Sequence, residues 1–382
     1  MTSIVHLITD LDRGGSETTL VNLVSRLDSA RFTNTVISLT DRGTRGADLT
    51  RLGVPVVELR MKPALPSPMA LWRLQRAVRR ARPDILQTWL FHADFLGLLA
   101  GRATGTESIC WNIRCAELRQ ADHPASLFLL LRILAKLSPL PAAVIVNSQA
   151  GRLAHEALGY HPRRWELIPN GIDLETFVPS QERRNLWRQA TGIAIDAPVV
   201  GLVARYHPMK DHATFLDAAA AVAASLPDVH FVMAGRRVDS TNAALVESIA
   251  RRGLAGRVSL CGEVADTPSL FCALDVAVSA SYSEAFPNVV GEAMACGVPC
   301  VVTDAGDSAR IVGRTGVVVP TRDPAAMSAA MIRLLAMDPS ARAALGVEAR
   351  TRIADDYSLA RMAARYETLY DGLRAACRGS GD

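Results

Sequence analysis

The segment Ser281–Gly306, reading S-Y-S-E-A-F-P-N-V-V-G-E-A-M-A-C-G-V-P-C-V-V-T-D-A-G, decides how the rest of the chain is read. Asn288 is suited to cap a short helix whose apolar residues Val289, Val290, Ala293 and Met294 face inward, and Gly297 supplies a left-handed stop. Val298–Thr303 then reads as a buried strand. The backbone N–H groups at Asn288, Val289 and Val290 have no partner within the helix, so a phosphate fits above them. Glu292 lies four residues after Asn288, on the same helical face and one turn below, where its carboxylate can accept from a diol such as a ribose. Glu284, in the preceding loop, reaches the group beyond the phosphate. The plainer alternative makes Glu284 a complement to the helix dipole and Glu292 a solvated side chain. Against it, Glu292 is the one charge in an otherwise small or apolar helix.

Upstream, Pro198–Ala204 reads as a buried parallel-type strand followed by R-Y-H-P-M-K-D. Arg205 and Lys210 stand at its end and at the start of the next helix, where two cations suit a diphosphate; the alternative is a pair of surface cations. Val229–Ala234 with Gly235, and Val258–Leu260 before C-G-E-V, are further strand-and-turn units. Leu270–Leu274 is a short helix, and Val276–Ser279 is the strand that delivers the chain to Glu284.

This half of the chain resembles the retaining family-four glycosyltransferases of the two-domain GT-B fold, on S-E-A-F-P-N-V-V-G-E-A-M-A-C-G-V-P with its E-x7-E spacing and on R-x4-K. The resemblance implies two Rossmann-like doubly wound domains facing a central cleft. It also implies that Glu284 contacts hydroxyls of the transferred sugar, that Glu292 holds the ribose, and that Arg205 and Lys210 hold the phosphates. Glu263 and Val264, after the glycine of C-G-E-V, would stand beside the nucleobase.

Working back to the start, Ile4–Ile8 is an apolar strand, followed by D-L-D-R-G-G-S-E and a helix Thr18–Leu27. Gly14 and Gly15 would allow close approach of a phosphate or sugar, although most such turns only reverse the chain. Phe32–Leu39, Pro55–Leu59, Asp84–Trp89, Ile109–Arg114 and Ala143–Asn147 read as further strands, with helical segments between them, an alternation that argues for an α/β domain. His92 follows one strand at once, in L-F-H-A-D-F-L-G, at the edge where such sheets bind ligands. The resembled family has a histidine in this loop that touches the donor sugar, which makes His92 a candidate for the same contact. Arg114 ends another strand and is a further candidate for the cleft. The Pro-Asn-Gly turn of L-I-P-N-G-I-D and the linker Pro179–Arg184 mark the junction. The domains are therefore expected at 1–178 and 179–359, with a C-terminal helix at about 360–376 that the resemblance returns to the first domain.

The length, 382 residues with 49% hydrophobic content, is enough for two cores. A net charge of +4 does not argue for nucleic acid, but it is uneven: the first 178 residues carry 21 Lys and Arg against 16 Asp and Glu. From Arg60 to Pro83 stand seven basic residues and no acidic one, with Arg73, Arg76 and Arg80 on one helical face. That run reads as a solvated face or as a surface for anionic lipid or an acidic carrier. Helix Ser126–Leu137, apolar with Arg132 and Lys136, reads chiefly as core. Seven cysteines without a C-x-x-C pair imply reduced thiols in a cytoplasmic protein, and Met1–Asp10 lacks the pattern of a signal peptide. No run is long enough to span a bilayer.

The function implied is transfer of a sugar from a nucleotide diphosphate sugar to a saccharide or lipid-linked acceptor hydroxyl with retention, in polysaccharide or glycolipid biosynthesis. No cofactor and no metal are expected, since cations and a helix N-terminus can meet the leaving diphosphate and Asp10 and Asp12 form the only D-x-D-like pair singled out. Two alternatives stay open: a sugar-nucleotide 2-epimerase of the same architecture, and a non-catalytic nucleotide-binding partner subunit.

Overall fold

The computed structural model describes residues 1–12, 14–61, 68–116 and 124–379. Two compact units divide the chain: Met1–Gly171 with Leu359–Asp382, and Ile172–Ser358. The division falls before the expected 178/179 boundary. Ile172, Leu174 and Phe177 insert into the core of the second unit, and the Ile172 N–H donates to Tyr357 O at 2.8 Å.

The first unit is built on seven strands, β1 (Thr2–Ile8), β2 (Phe32–Ser38), β3 (Val56–Glu58), β4 (Ile85–Trp89), β5 (Ser108–Ile113), β6 (Ala143–Val146) and β7 (Trp165–Leu167). They form one sheet in the order β3-β2-β1-β4-β5-β6-β7, and every pairing is parallel. Because successive side chains leave a strand on opposite faces, Ile4 and Ile8 enter one core layer while Val5 and Leu7 enter another. The C-terminal helix Leu359–Gly379 covers one of those layers. Tyr366 and Tyr370 are fully buried there; Asn112 Nδ2 donates to Tyr366 Oη at 2.9 Å and Tyr370 Oη to Gln87 Oε1 at 2.7 Å. At the helix's outer face Arg31 pairs with Glu367 and Asp371. Strand β7 was not anticipated from sequence: three half-buried residues on a sheet edge carry no clear period.

The second unit holds β8 (Val199–Val203), β9 (His230–Ala234), β10 (Val258–Leu260), β11 (Val276–Ser279), β12 (Cys300–Thr303) and β13 (Val317–Val319), in the order β10-β9-β8-β11-β12-β13 and again all parallel. A sheet covered on both faces needs near-continuous apolar strands, which V-V-G-L-V, V-A-V-S and C-V-V-T supply. Val199, Ala277 and Val302 face one core layer, and Val200, Val278 and Val301 the other. The expected linker Pro179–Arg184 is instead the start of helix Gln181–Ala190, whose first turn is capped by the Ser180 hydroxyl accepting from Arg183 N at 3.2 Å. From it Arg188, fully buried, donates to Ala273 O and pairs with Asp275 at 2.9 Å, fastening this helix to the base of β11.

Candidate active site

In the second unit, the carboxyl ends of β8, β11 and β12 carry the residues singled out from sequence. After β8 the chain passes through Arg205 into a 3-10 turn, Pro208–Lys210, capped by Asp211, whose carboxylate also accepts from Thr214 N at 3.2 Å to open helix His212–Ser225. The Tyr282 N–H donates to Met209 O at 3.0 Å, so this turn is stitched to the loop after β11. Across that seam Lys210 Nζ donates to Glu284 Oε1, and Ser281 Oγ donates to the same oxygen at 2.7 Å. Only 18% of the Lys210 side chain and 12% of the Glu284 side chain is exposed, so the ion pair is largely withdrawn from water. The loop bearing Glu284 is backed by the chain after β12. Gly306 has φ +60°, a Cβ there would stand 2.4 Å from Glu284 O, and the neighbouring Asp307 N donates to Ala285 O at 3.0 Å. Ser281 and Gly306 lie within the deciding segment; the Ser281 contact is local to the loop after β11, whereas that of Gly306 depends on two loops meeting, which spacing does not reveal.

Helix Asn288–Ala295 follows, with Val290, Ala293 and Met294 buried and Gly297 at φ +76° just past its end. The cap differs from expectation: Pro287, extended at φ −76° and ψ 95°, occupies the cap position with no side-chain cap hydrogen bond, and Asn288 is the first helical residue. The start of the helix still carries backbone N–H groups without helical acceptors. One turn on, Glu292 is half-buried, and no described residue donates to its carboxylate. Burial alone pushes its pKa from 4.5 up to about 7. A carboxylate held in this way gains from any ligand that brings hydroxyl donors.

Arg205, Glu263 and Val264 belong to adjoining loops at the same sheet edge. Gly235 N donates to Gly262 O at 2.7 Å, and Gly235, at φ +140°, lies so near the end of β8 that a Cβ would fall 2.3 Å from Ala204 O. Arg205 and Glu263 are exposed, and among the described residues neither side chain makes an ion pair; Val264 packs against the core. These three are neighbours of the Lys210–Glu284 pair by loop order, with no hydrogen bond or ion pair to it among the described residues.

In the first unit, Gly14 is the cap of helix Gly15–Arg26. Around Gly15 there is open space, whereas a Cβ on Gly14 would meet the carboxylate end of the Glu17 side chain at 2.1 Å, which would have to move aside. Glu17, missed from sequence, is buried in the first turn of this helix, accepts from Ser16 Oγ at 2.9 Å, and has its pKa raised by burial. His92 is the second residue of helix Phe91–Thr104, directly after Leu90, a non-glycine residue at φ +71° whose N–H donates to Asn112 O at 3.3 Å. The ring reaches solvent, yet the protein packed around it lowers its pKa. Arg114 is occupied within its own unit: it donates to Asn170 Oδ1 and, at 3.3 Å, to Asn112 Oδ1, and lies 5.6 Å from the Trp89 ring centroid. Its buried partners make it a brace of the sheet's edge. Helix Pro68–Ala81 exposes Met69, Trp72, Arg73, Arg76 and Arg80, with Arg76 5.5 Å from the Trp72 ring centroid, while residues 62–67 of the basic run lie outside the described residues. No group of three or more His, Cys, Asp or Glu that could hold a metal occurs among the described residues, and no described helix is long and apolar enough to cross a membrane.

Two parallel Rossmann-like sheets carry cations, carboxylates and a helix start at the carboxyl edge of the second, and comparison with known proteins identifies an enzyme that transfers sugars. Residues 13–176 match the model for Glycosyltransferase Family 4 and residues 197–337 that for Glycosyl transferases group 1, so each half of the chain matches a glycosyltransferase domain. Among relatives, the putative glycosyltransferase EpsF of Bacillus subtilis is 27% identical over 79% of this chain and 79% of its own. A GDP-mannose-dependent monoacylated alpha-(1-6)-phosphatidylinositol monomannoside mannosyltransferase of Corynebacterium glutamicum is 27% identical over 77% of this chain and 78% of its own. The fold is shared with Anabaena HepE in complex with UDP (TM-score 0.84, 24% identity, 97% of this chain and 100% of that one). It is shared too with sucrose-phosphate synthase of Thermosynechococcus elongatus (TM-score 0.78, 19% identity, 98% and 100%).

Proposed function

We propose that the protein moves a sugar from a nucleotide diphosphate sugar to an acceptor hydroxyl with retention of anomeric configuration, in the assembly of a polysaccharide or glycolipid. The Lys210–Glu284 pair beside the start of helix Asn288–Ala295 carries this reading. In it, the diphosphate takes Arg205, Lys210 and the N–H groups at Asn288 and Val289, and Glu292 accepts from the ribose hydroxyls. Glu284, steadied by Ser281, meets the hydroxyls of the transferred sugar, as does His92; Gly15 leaves space for the substrate, and Glu263 and Val264 flank the base. An incoming diphosphate offers Lys210 more charge than one carboxylate does, so the ion pair keeps both side chains in place until the donor arrives.

In the reaction the bond between the anomeric carbon and the diphosphate oxygen breaks, and the acceptor oxygen bonds on the same face. The leaving phosphate takes the acceptor proton. Charge growing on the diphosphate meets Arg205, Lys210 and the helix start, so the step requires no metal and no cofactor. Relatives named for a GDP-mannose donor and a phosphatidylinositol-linked acceptor, and a UDP complex of the same fold, support a nucleotide-sugar donor and a lipid- or saccharide-borne acceptor. For such an acceptor, helix Pro68–Ala81 is the face that meets an anionic membrane from the cytoplasmic side. The test is a screen of uridine, guanosine and adenosine diphosphate sugars with detection of the released nucleoside diphosphate and the anomeric proton of the product. Release from none of them, with acceptors present, would overturn the proposal; a sugar epimerised without acceptor would replace it.

A further inference from the structure

Strands β8 and β9 run in a parallel register that pairs Val199 with His230 and Val203 with Ala234. Two bonds carry this register past the strand ends: the Ala204 N–H donates to Ala234 O at 2.8 Å, and the Tyr206 N–H to Arg236 O at 2.9 Å. In that register Arg205 lies opposite Arg236, on chains that a ladder holds about 4.8 Å apart. Gly235 lets the two chains close up, since a Cβ there would stand 2.8 Å from Arg205 N. Like charges directly opposite each other destabilise a sheet. Both arginines are exposed, and among the described residues neither guanidinium has a hydrogen-bond or ion-pair partner to offset that cost.

The charges of the candidate active site give this pair a ligand. Lys210 and Glu284 are paired across the seam between the loops after β8 and β11, and together they carry no net charge. The diphosphate of a nucleotide sugar has an ionised oxygen on each phosphate, so Arg205 alone leaves one of them without a matching cation. In the sheet β8 lies between β11 and β9, which puts Arg236 on the side of Arg205 away from Glu284. We propose that Arg236 is a second phosphate-binding arginine of the donor site and forms with Arg205 a clamp of two guanidinium groups on the diphosphate, an assignment that rests on the nucleotide-sugar reading of this site.

Each guanidinium presents paired N–H donors that match two oxygens of a phosphate, which a lysine ammonium cannot do. A dianion seated between the arginines replaces their repulsion with two attractions, so part of the binding comes from relief of the unliganded loops. Arg237, the next residue, leaves the ladder: it adopts φ +63°, and its carbonyl accepts from Asn242 Nδ2 at 2.9 Å. The chain then bonds to the loop after β10, the Gly262 N–H donating to Val238 O at 2.8 Å. Arg237 is therefore a built-in control, as basic as Arg236 but outside the clamp.

The test measures by calorimetry the binding of uridine, guanosine and adenosine diphosphates, their nucleosides and inorganic pyrophosphate to the folded protein. For pyrophosphate and the diphosphate bound most tightly, Arg236→Ala should weaken binding by about ten- to a hundredfold, the range of a charge-assisted contact, and Arg236→Lys should recover part of it. Nucleoside binding should not change, and Arg237→Ala should cost less than about threefold. Without ligand, Arg236→Ala should unfold at or above the midpoint of the parent, because one of two opposed like charges is gone. Unchanged diphosphate binding in Arg236→Ala, an equal loss in Arg237→Ala, or a ligand-free Arg236→Ala that unfolds below the parent would overturn the clamp and leave the donor site standing. A parent that binds neither a diphosphate nor pyrophosphate would overturn the donor site and the clamp with it.

Discussion

Glu292 should cost the fold stability in the pH range where it serves the ligand, and Glu292→Gln exposes that cost. Its carboxyl titrates near 4.5 when unfolded and about 7 in the native protein. Between those values the folded state binds the extra proton, so stability falls as pH rises through the window and the loss is complete above about 7. At about 1.4 kcal/mol per pH unit the ceiling is about 3 kcal/mol at pH 8, and less than about 1 kcal/mol at pH 5. The side chain keeps some contact with water, so the expected gain for Glu292→Gln is about 1–3 kcal/mol at pH 8 and little at pH 5. For a unit of this size that is a rise in midpoint of about 2–4 °C per kcal/mol, read by thermal unfolding at both pH values. The same variant should bind donor more weakly, because a neutral amide accepts less strongly from the ribose than a carboxylate. A variant no more stable than the parent at pH 8, or a gain equal at both pH values, would show that the carboxylate is not held at a cost by its surroundings.

Lys210→Ala and Arg205→Ala are each expected to weaken nucleoside diphosphate binding by about 1.5–3 kcal/mol, with nucleoside binding little changed, by calorimetry. Equal losses for both ligands would refute the phosphate role. Glu284→Ala should lower kcat more than KM, in contrast to Glu292→Ala, which should raise the donor KM; one shared profile would erase the division of roles. Turnover should survive excess chelator, and loss of activity restored by magnesium or manganese would reject metal independence. Reversing Arg73, Arg76 and Arg80 to Glu should release the protein from anionic vesicles while turnover of a soluble acceptor persists, since each cation near such a surface contributes about 1 kcal/mol. Unchanged co-sedimentation would leave helix Pro68–Ala81 an ordinary solvated face.

Some of this protein is local and could be read from its residues alone. Apolar runs such as V-V-G-L-V and C-V-V-T announce strands buried on both faces, because no other element hides that pattern in so few residues. The helix Asn288–Ala295, its stop at Gly297, and the placing of Glu292 one turn into it follow from helical geometry and glycine's freedom at positive φ. Other features come from segments far apart in sequence and needed the folded chain. Lys210 reaches Glu284 only because Tyr282 stitches the loop after β11 to the turn after β8, and Gly306 is required small only because a third loop lies against Glu284. Arg114, which sequence places at a strand end facing a ligand edge, is drawn to Asn170 and Asn112. The boundary moved for the same reason: Ile172, Leu174 and Phe177 fall inside the expected first domain, yet the second core accepts them. Chain-local physics sets periods, caps and turns; which polar side chains end up together is decided by burial, whose cost for an unpaired charge depends on every neighbour the fold brings near.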